Sequence, residues 1–243
     1  MVNKGQIKLI RSLHEKKYRI ETGLFLVEGE KSVLELLKSD FEIDRLYCTK
    51  NFAEKHKEKL SDVKFEILSQ DELEKISYFE TNDSVLAIVK QKNNQENQTK
   101  EGRTIILDDI RDPGNLGTII RICDWYGIKE IVASENTVDF YNPKVISASM
   151  GSFTRVNLFY TNLIDYLTRQ AKPIYGAFLD GEDIHKIKIP DNAIVVMGSE
   201  SKGISKDIEK IIKNKITIPS YGKAESLNVA VATAITLDNW IVG

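Results

Sequence analysis

From residue 103 onward the chain alternates short apolar runs with stretches of helical spacing. The runs are Thr104–Leu107, Glu130–Ala133, Ile174–Phe178, Ala193–Met197 and Lys215–Ile218, and isoleucine and valine dominate them. Runs this short and this uniformly apolar suit strands buried on both faces, the condition of a parallel sheet. Between them lie Leu116–Trp125, Pro143–Met150, Leu163–Gln170 and Ile204–Ile212, all with helical character, and Ser226–Trp240 closes the chain. Strand and helix in strict alternation predict a doubly wound α/β domain.

A polar stretch, Gln91–Gly102, precedes this region and has no apolar periodicity. It reads as a linker or a long exposed loop. Upstream of it, Ile7, Ile10 and Leu13 predict a helix over Gln6–Lys17, and Val33, Leu34 and Leu37 predict another over Glu30–Leu37. Leu24–Val27, Arg45–Cys48, Phe65–Leu68 and Val85–Val89 have the composition of strands. Ser69 and Glu72 are spaced to form a capping box for a helix over Asp71–Ile76. The expected organisation is a smaller α/β domain over residues 1–90, a linker over 91–102, and the larger domain over 103–243.

Charge is nearly balanced across the 243 residues, with 34 Lys and Arg against 36 Asp and Glu and a formal net charge of -2. Any surface for a polyanion must therefore be local. Lys4, Lys8, Arg11, Lys16, Lys17 and Arg19 gather near the N-terminus, where they suit either phosphate contacts or a solvated helix face. Cys48 and Cys123 lie far apart, and His14, His56 and His185 are scattered, so neither a disulfide framework nor a zinc site is expected. There is no apolar leader and no apolar run that spans a bilayer, so the expected setting is the reducing cytoplasm, away from membranes.

Three stretches of the C-terminal half carry more than a fold requires. In Leu107–Arg121, LDDIRDPGNLGTIIR, a strand ends in acidic residues, turns through Asp112-Pro113-Gly114-Asn115, and enters a helix. Asn115 falls where helix N–H groups are unpaired, and Arg121 follows six residues later among isoleucines. The same residues suit a capped turn and a snorkelling arginine, and spacing alone does not choose. In Ile194–Ser205, IVVMGSESKGIS, an apolar strand enters a glycine-bearing loop at the edge where α/β sheets bind ligands. Neither the dinucleotide fingerprint nor the phosphate-loop lysine motif is present. In Ile216–Ala232, ITIPSYGKAESLNVAVA, Ser226 is placed to cap a helix rich in small residues, with Asn228 in its first turn.

Taken together, NLGTIIR, MGSESKGIS and IPSYGKAESLNVAVA resemble, in order and spacing, the three motifs of the SpoU (TrmH) family of RNA 2′-O-ribose methyltransferases. The resemblance covers about residues 103–243. More loosely, the N-terminal part resembles the L30e-like substrate-binding domain of many relatives, most clearly in GLFLVEGEKSVLELL. The resemblance implies a catalytic domain with a deep trefoil knot, S-adenosylmethionine as methyl donor, and a homodimer with catalytic residues near the subunit interface. It implies that Asn115, Arg121, Glu200, Ser226 and Asn228 are the catalytic positions. It further implies donor contacts around Met197, Gly198, Gly203, Ile218, Ser226 and Leu227.

A ribose hydroxyl attacking a sulfonium methyl must shed its proton, and Arg121 is the family's candidate for assisting it. Arginine resists deprotonation, so positioning and electrostatic stabilisation fit it better than base chemistry. No metal is called for, because the sulfonium is already activated. Ribosomal RNA is the expected substrate. The alternatives are transfer RNA, a base-methylating relative, a non-catalytic RNA-binding or ribosome-assembly factor on the same scaffold, and an ordinary small-molecule enzyme.

Overall fold

In the computed structural model, which describes residues 2–79, 82, 84–96 and 102–243, the first structural decision falls at Leu13. The basic N-terminal stretch is two helices rather than one: α1 (Lys4–Ser12), with Asn3 and Gln6 forming a reciprocal cap, and α2 (Lys16–Thr22). The break exposes carbonyls, and an arginine from α2 satisfies them. Arg19 Nη1 donates to Leu13 O and His14 O at 2.8 and 2.9 Å, while its Nε and Nη2 donate to Asp139 Oδ2. Arg19 is thus buried and committed, Arg11 is occupied by Lys75 O, and Lys17 pairs with Glu21 at 3.9 Å, so three of the six basic residues in this stretch already have protein partners.

Next come β1 (Leu24–Glu28), α3 (Glu30–Leu36), β2 (Ile43–Thr49), α4 (Lys50–Lys55), β3 (Glu66–Leu68), α5 (Gln70–Ile76) and β4 (Val85–Lys90). The Ser69/Glu72 capping box forms as its spacing predicts. The four strands lie in the order β1-β4-β2-β3, with β4 antiparallel to both β1 and β2, and β3 parallel to β2. Ile10, Leu13, Leu26, Tyr47, Leu73, Leu86 and Ile88 fill the core beneath them.

Two compact units divide the chain: residues 1–93 with 139–154, and 94–138 with 155–243. The second begins with β5 (Thr104–Asp108), α6 (Pro113–Trp125) and β6 (Glu130–Ser134). Residues 139–154, with α7 (Pro143–Ala148), then run with the first unit, although a single division at residues 91–102 assigns them to the C-terminal half. The Arg19–Asp139 pair ties this segment down, as do ring contacts of Phe25 with Tyr141 (4.5 Å) and Phe153 (6.2 Å). Part of the linker, residues 97–101, lies outside the described residues.

The second unit continues with β7 (Asn157–Thr161), α8 (Leu163–Thr168), β8 (Ile174–Asp183), β9 (Ile194–Gly198), α9 (Lys206–Glu209), β10 (Asn214–Thr217) and α10 (Val229–Val242). Its six strands are all parallel, in the order β10-β8-β9-β5-β6-β7, as the buried apolar runs require. β7 has no counterpart among the apolar runs, because it is a half-buried edge strand. The helix read over Ile204–Ile212 shrinks to α9, although Ile204, Ile208 and Ile212 are all buried against the sheet. Among the described residues, no helix is long and apolar enough to cross a membrane.

Candidate active site

β5 is where the winding of the sheet reverses. From it the chain proceeds outward through β6 and β7, then returns to build β8, β9 and β10 on the other side. In open α/β sheets the crevice at the carboxyl ends of such strands is where ligands bind. Here those ends are adjacent: Asp108, the last residue of β5, is in register with Gly198, the last of β9.

The β5 end is built from short polar contacts. Asp108 is buried, and its Oδ2 accepts a 2.7 Å bond from Ser205 N, anchoring the exit of the loop that follows β9. Asp109 adopts a left-handed backbone (φ 59°), and its N–H donates to Ser134 Oγ. Asp112 caps α6 by accepting from Asn115 N at 2.8 Å, with Pro113 pre-set at the first helical position. Asn115 is therefore held by its own backbone at the helix N-terminus, leaving its amide side chain to face the crevice loops.

The β9 loop is pinched shut. Ser199 and Gly203 exchange backbone hydrogen bonds of 3.1 and 2.8 Å, and Gly203 has φ 65°. A Cβ on Gly198 would fall 2.1 Å from Gly203 C, so only glycine permits this closure. The pinch presents Glu200 at an exposed tip and buries Ser199, whose Oγ has no hydrogen-bond partner.

The third loop leaves β10, three strand positions from β5, about 14 Å at the usual interstrand spacing. Residues 218–228 run mostly exposed back across the sheet edge to open α10. The cap of α10 is Asn228, not Ser226: Asn228 Oδ1 accepts from Ala230 N and Val231 N. Its Nδ2 then donates to Asn115 Oδ1 at 2.9 Å and to Glu200 Oε1 at 3.4 Å, while Asn115 Nδ2 donates to Glu200 Oε1. Three residues from three motifs, up to 113 positions apart, thus form one closed network with a carboxylate accepting from two amides.

The remaining predicted positions distribute around this network. Met197 is buried at the end of β9, Gly198 and Ile218 are half-buried, and Gly203 and Ser226 are exposed. Leu227 is 45% exposed, beside the network but outside the core. Leu227 gives this edge an uncovered apolar feature, while the Ser199 Oγ is shielded from solvent and has no hydrogen-bond partner among the described residues. Arg121 does not join the network. It lies six residues beyond Asn115 on α6, about 9 Å along the axis and a third of a turn round, and it is exposed. Its neighbour on that face, Trp125, is 85% exposed. Cys123 on the same helix is buried, and burial pushes its thiol far above the ordinary range, so it packs rather than reacts. No group of three His, Cys, Asp or Glu able to hold a metal occurs among the described residues. Asp108 is the structural contributor that motif reading left unnamed, with the acidic end of its strand as its only trace, and Asp112, read as part of the turn, proves to be the cap of α6.

Comparison with known proteins follows this geometry. Residues 102–238 match the model of the SpoU rRNA Methylase family, and residues 4–87 match an MRM3-like substrate binding domain. The chain is 30% identical to the 23S rRNA (guanosine(2553)-2′-O)-methyltransferase RlmP of Bacillus subtilis, over 95% of this chain and 93% of that one. A structure from Porphyromonas gingivalis, assigned to the TrmH family of RNA methyltransferases, superposes with a TM-score of 0.88 at 37% identity, covering 99% of this chain and 98% of the other. An AdoMet-bound rRNA methyltransferase from Sinorhizobium meliloti superposes with a TM-score of 0.84 at 28% identity, covering 98% and 95%.

Proposed function

The chain belongs to the SpoU rRNA methylase family, and from that premise we propose that it transfers a methyl group from S-adenosylmethionine to the ribose 2′-hydroxyl of a guanosine in 23S rRNA. The observation that carries the reading is the Asn115–Glu200–Asn228 network, which ties together the loops after β5, β9 and β10. The donor supplies a methyl already activated on a sulfonium, so the reading needs no metal. Met197, Gly198, Gly203, Ile218, Ser226 and Leu227 would hold it at the edge formed by the loops after β9 and β10. As the ribose oxygen bonds to the methyl carbon, the carbon–sulfur bond breaks and the hydroxyl proton must leave.

Arg121 is the proposed assistant to that step, by orienting the hydroxyl or a neighbouring phosphate with its planar fork. On α6 it shares an exposed stripe with Trp125, and α10, packed against α6, exposes Val231 (47%) and Val242 (74%). Trp125, Val231 and Val242 are exposed apolar side chains on these two packed helices, of the kind that association would cover. We therefore place a homodimer across α6 and α10, with Arg121 of one protomer serving the donor edge of its partner. The trefoil knot that the family implies is consistent with residues 218–228 crossing back past the β9 loop. Residues 1–90 are proposed to hold RNA and 103–243 to catalyse, in the cytoplasm where ribosomal RNA is modified.

Mapping 2′-O-methyl sites in 23S rRNA with and without the gene tests the reaction, and an unchanged map would overturn it. The shared site is tested by mixing Arg121→Ala and Asn228→Asp proteins, each inactive alone. In a dimer with composite sites, heterodimers regain one intact site, giving about a quarter of wild-type activity. Continued inactivity after verified exchange of subunits rules out that arrangement.

A further inference from the structure

Beside the N-terminal break, α1 and α2 border an open cleft of about 390 Å³ lined by Gly5, Lys8, Leu9, Ser12 and Tyr18. Gly5, Lys8, Leu9 and Ser12 share one face of α1, and Gly5 leaves that face hollow. A Cβ there would meet only Asn3 Oδ1, at 3.3 Å, so the space is not filled by protein. Tyr18 is 38% exposed, although a ring of its size is ordinarily covered in a core. Lys17 places its ammonium 5.7 Å from that ring. Lys4, Lys8 and Lys16 have no carboxylate within ion-pair distance among the described residues, whereas Arg11 and Arg19 are already bound to protein groups and Lys17 lies 3.9 Å from Glu21 in an exposed pair.

We propose that this cleft takes one unpaired nucleotide of the RNA substrate, its base stacked on Tyr18 and its flanking phosphates met by Lys8 and Lys17. The inference rests on the RNA-methylating function and adds to it a base-recognition site on the substrate-binding unit. The lining joins an apolar wall, from Leu9 and the Tyr18 ring, to donors for phosphate, from Lys8 and the Tyr18 hydroxyl, so a nucleotide uses more of it than a phosphate alone. An aromatic face with lysines at the rim suits a base and its backbone together. Ser12 Oγ already donates to Leu9 O at 2.7 Å, so toward a ligand it acts as an acceptor, fitted to an amino or imino hydrogen of a base edge. The cleft volume falls in the range of small-ligand sites, about 300–1,000 Å³.

The test uses the full chain and three RNAs: deproteinised 23S rRNA, a short RNA hairpin with an unpaired loop, and a fully paired RNA duplex of equal length. Tyr18→Ala should weaken binding of 23S rRNA and of the hairpin by about ten-fold, the usual size of one lost stacking contact. It should raise KM for 23S rRNA by a similar factor with kcat unchanged. Tyr18→Trp and Tyr18→Phe should retain wild-type affinity, duplex affinity should be unchanged in all three variants, and calorimetric binding of S-adenosylmethionine should match wild type. Wild-type affinity in Tyr18→Ala, or equal losses on duplex and hairpin, overturns the cleft while leaving the methylation reading intact. Failure of the wild-type protein to methylate 23S rRNA overturns both.

Discussion

Asn228 performs two jobs with one side chain, and substitution by aspartate separates them. Its Oδ1 caps α10, while its Nδ2 closes the network with Asn115 and Glu200. Aspartate caps a helix as well as asparagine does, so Asn228→Asp should leave α10 intact. The atom that replaces Nδ2 is an oxygen carrying negative charge, 3.4 Å from Glu200 Oε1 and 2.9 Å from the Asn115 carbonyl oxygen. At that separation two like charges repel by about 1 kcal/mol in bulk water and about 5 kcal/mol at an effective dielectric of 20. The site is exposed, so the lower part of that range applies, joined by the loss of two hydrogen bonds worth about 1 kcal/mol each.

That is enough to separate the three loops without unfolding the protein. Expected results are cooperative unfolding with a midpoint lowered by a few degrees at most, a loss of methyl transfer of at least about thirty-fold for some 2 kcal/mol, and weakened donor binding by calorimetry. Asn228→Ala, which removes the cap as well, should lower the midpoint by several degrees, in line with about 1 kcal/mol for a lost cap. Salt distinguishes the two: raising ionic strength should partly restore Asn228→Asp, where repulsion is the defect, and leave Asn228→Ala unaltered. If Asn228→Asp transfers methyl groups at the wild-type rate with wild-type donor affinity, the network is not what organises the site.

Gly198→Ala should lower thermal stability and abolish donor binding, because a Cβ 2.1 Å from Gly203 C forces the β9 loop open; calorimetry and thermal unfolding read both effects. Arg19→Met should cost about 3 kcal/mol or more, measured by denaturant unfolding, since it leaves the Asp139 carboxylate and two helix-end carbonyls without their donor. Arg121→Ala, at an exposed position, should abolish methyl transfer while changing stability by less than about 0.5 kcal/mol. Burial, reinforced by Arg11 and Arg19, lowers the pKa of His14 below its ordinary 6.5. The unfolded chain then binds the proton more readily, so stability contributed by neutral His14 is present above pH 6.5 and lost as pH falls below it. Between pH 7 and pH 5 the thermal midpoint of wild type should fall relative to that of His14→Phe; a pH-independent difference refutes the assignment.

What the sequence disclosed and what it withheld separate along one physical line. Periodicity reports burial. The central strands β5, β6 and β9 were therefore legible, because both their faces are covered, while β7, half-buried at one sheet edge, was not; β8 and β10 were read despite partial exposure. The break between α1 and α2 was hidden for a different reason. Ile7, Ile10 and Leu13 continue a helical rhythm through it, and what stabilises the break is Arg19 holding the freed carbonyls and an aspartate 120 residues away. Chain order alone places the segment around that aspartate with the C-terminal half, and its ties to Phe25 and Arg19 leave no local pattern. At the site, the three motifs announced which loops matter, but not which atoms meet. Ser226 has the better local claim to cap α10, yet Asn228 takes the position, because only an amide can cap with its oxygen and still donate to Asn115 and Glu200. Asp108 reads as the end of a strand, and its use is a bond to Ser205 N across 97 positions. Arg121 reads as a cation beside a buried face, and in the single chain it is exposed, which is the condition required of a group that serves a second protomer. A residue whose energy comes from leaving water betrays itself in a window of ten; a residue whose energy comes from one distant partner does so only when that partner is in view.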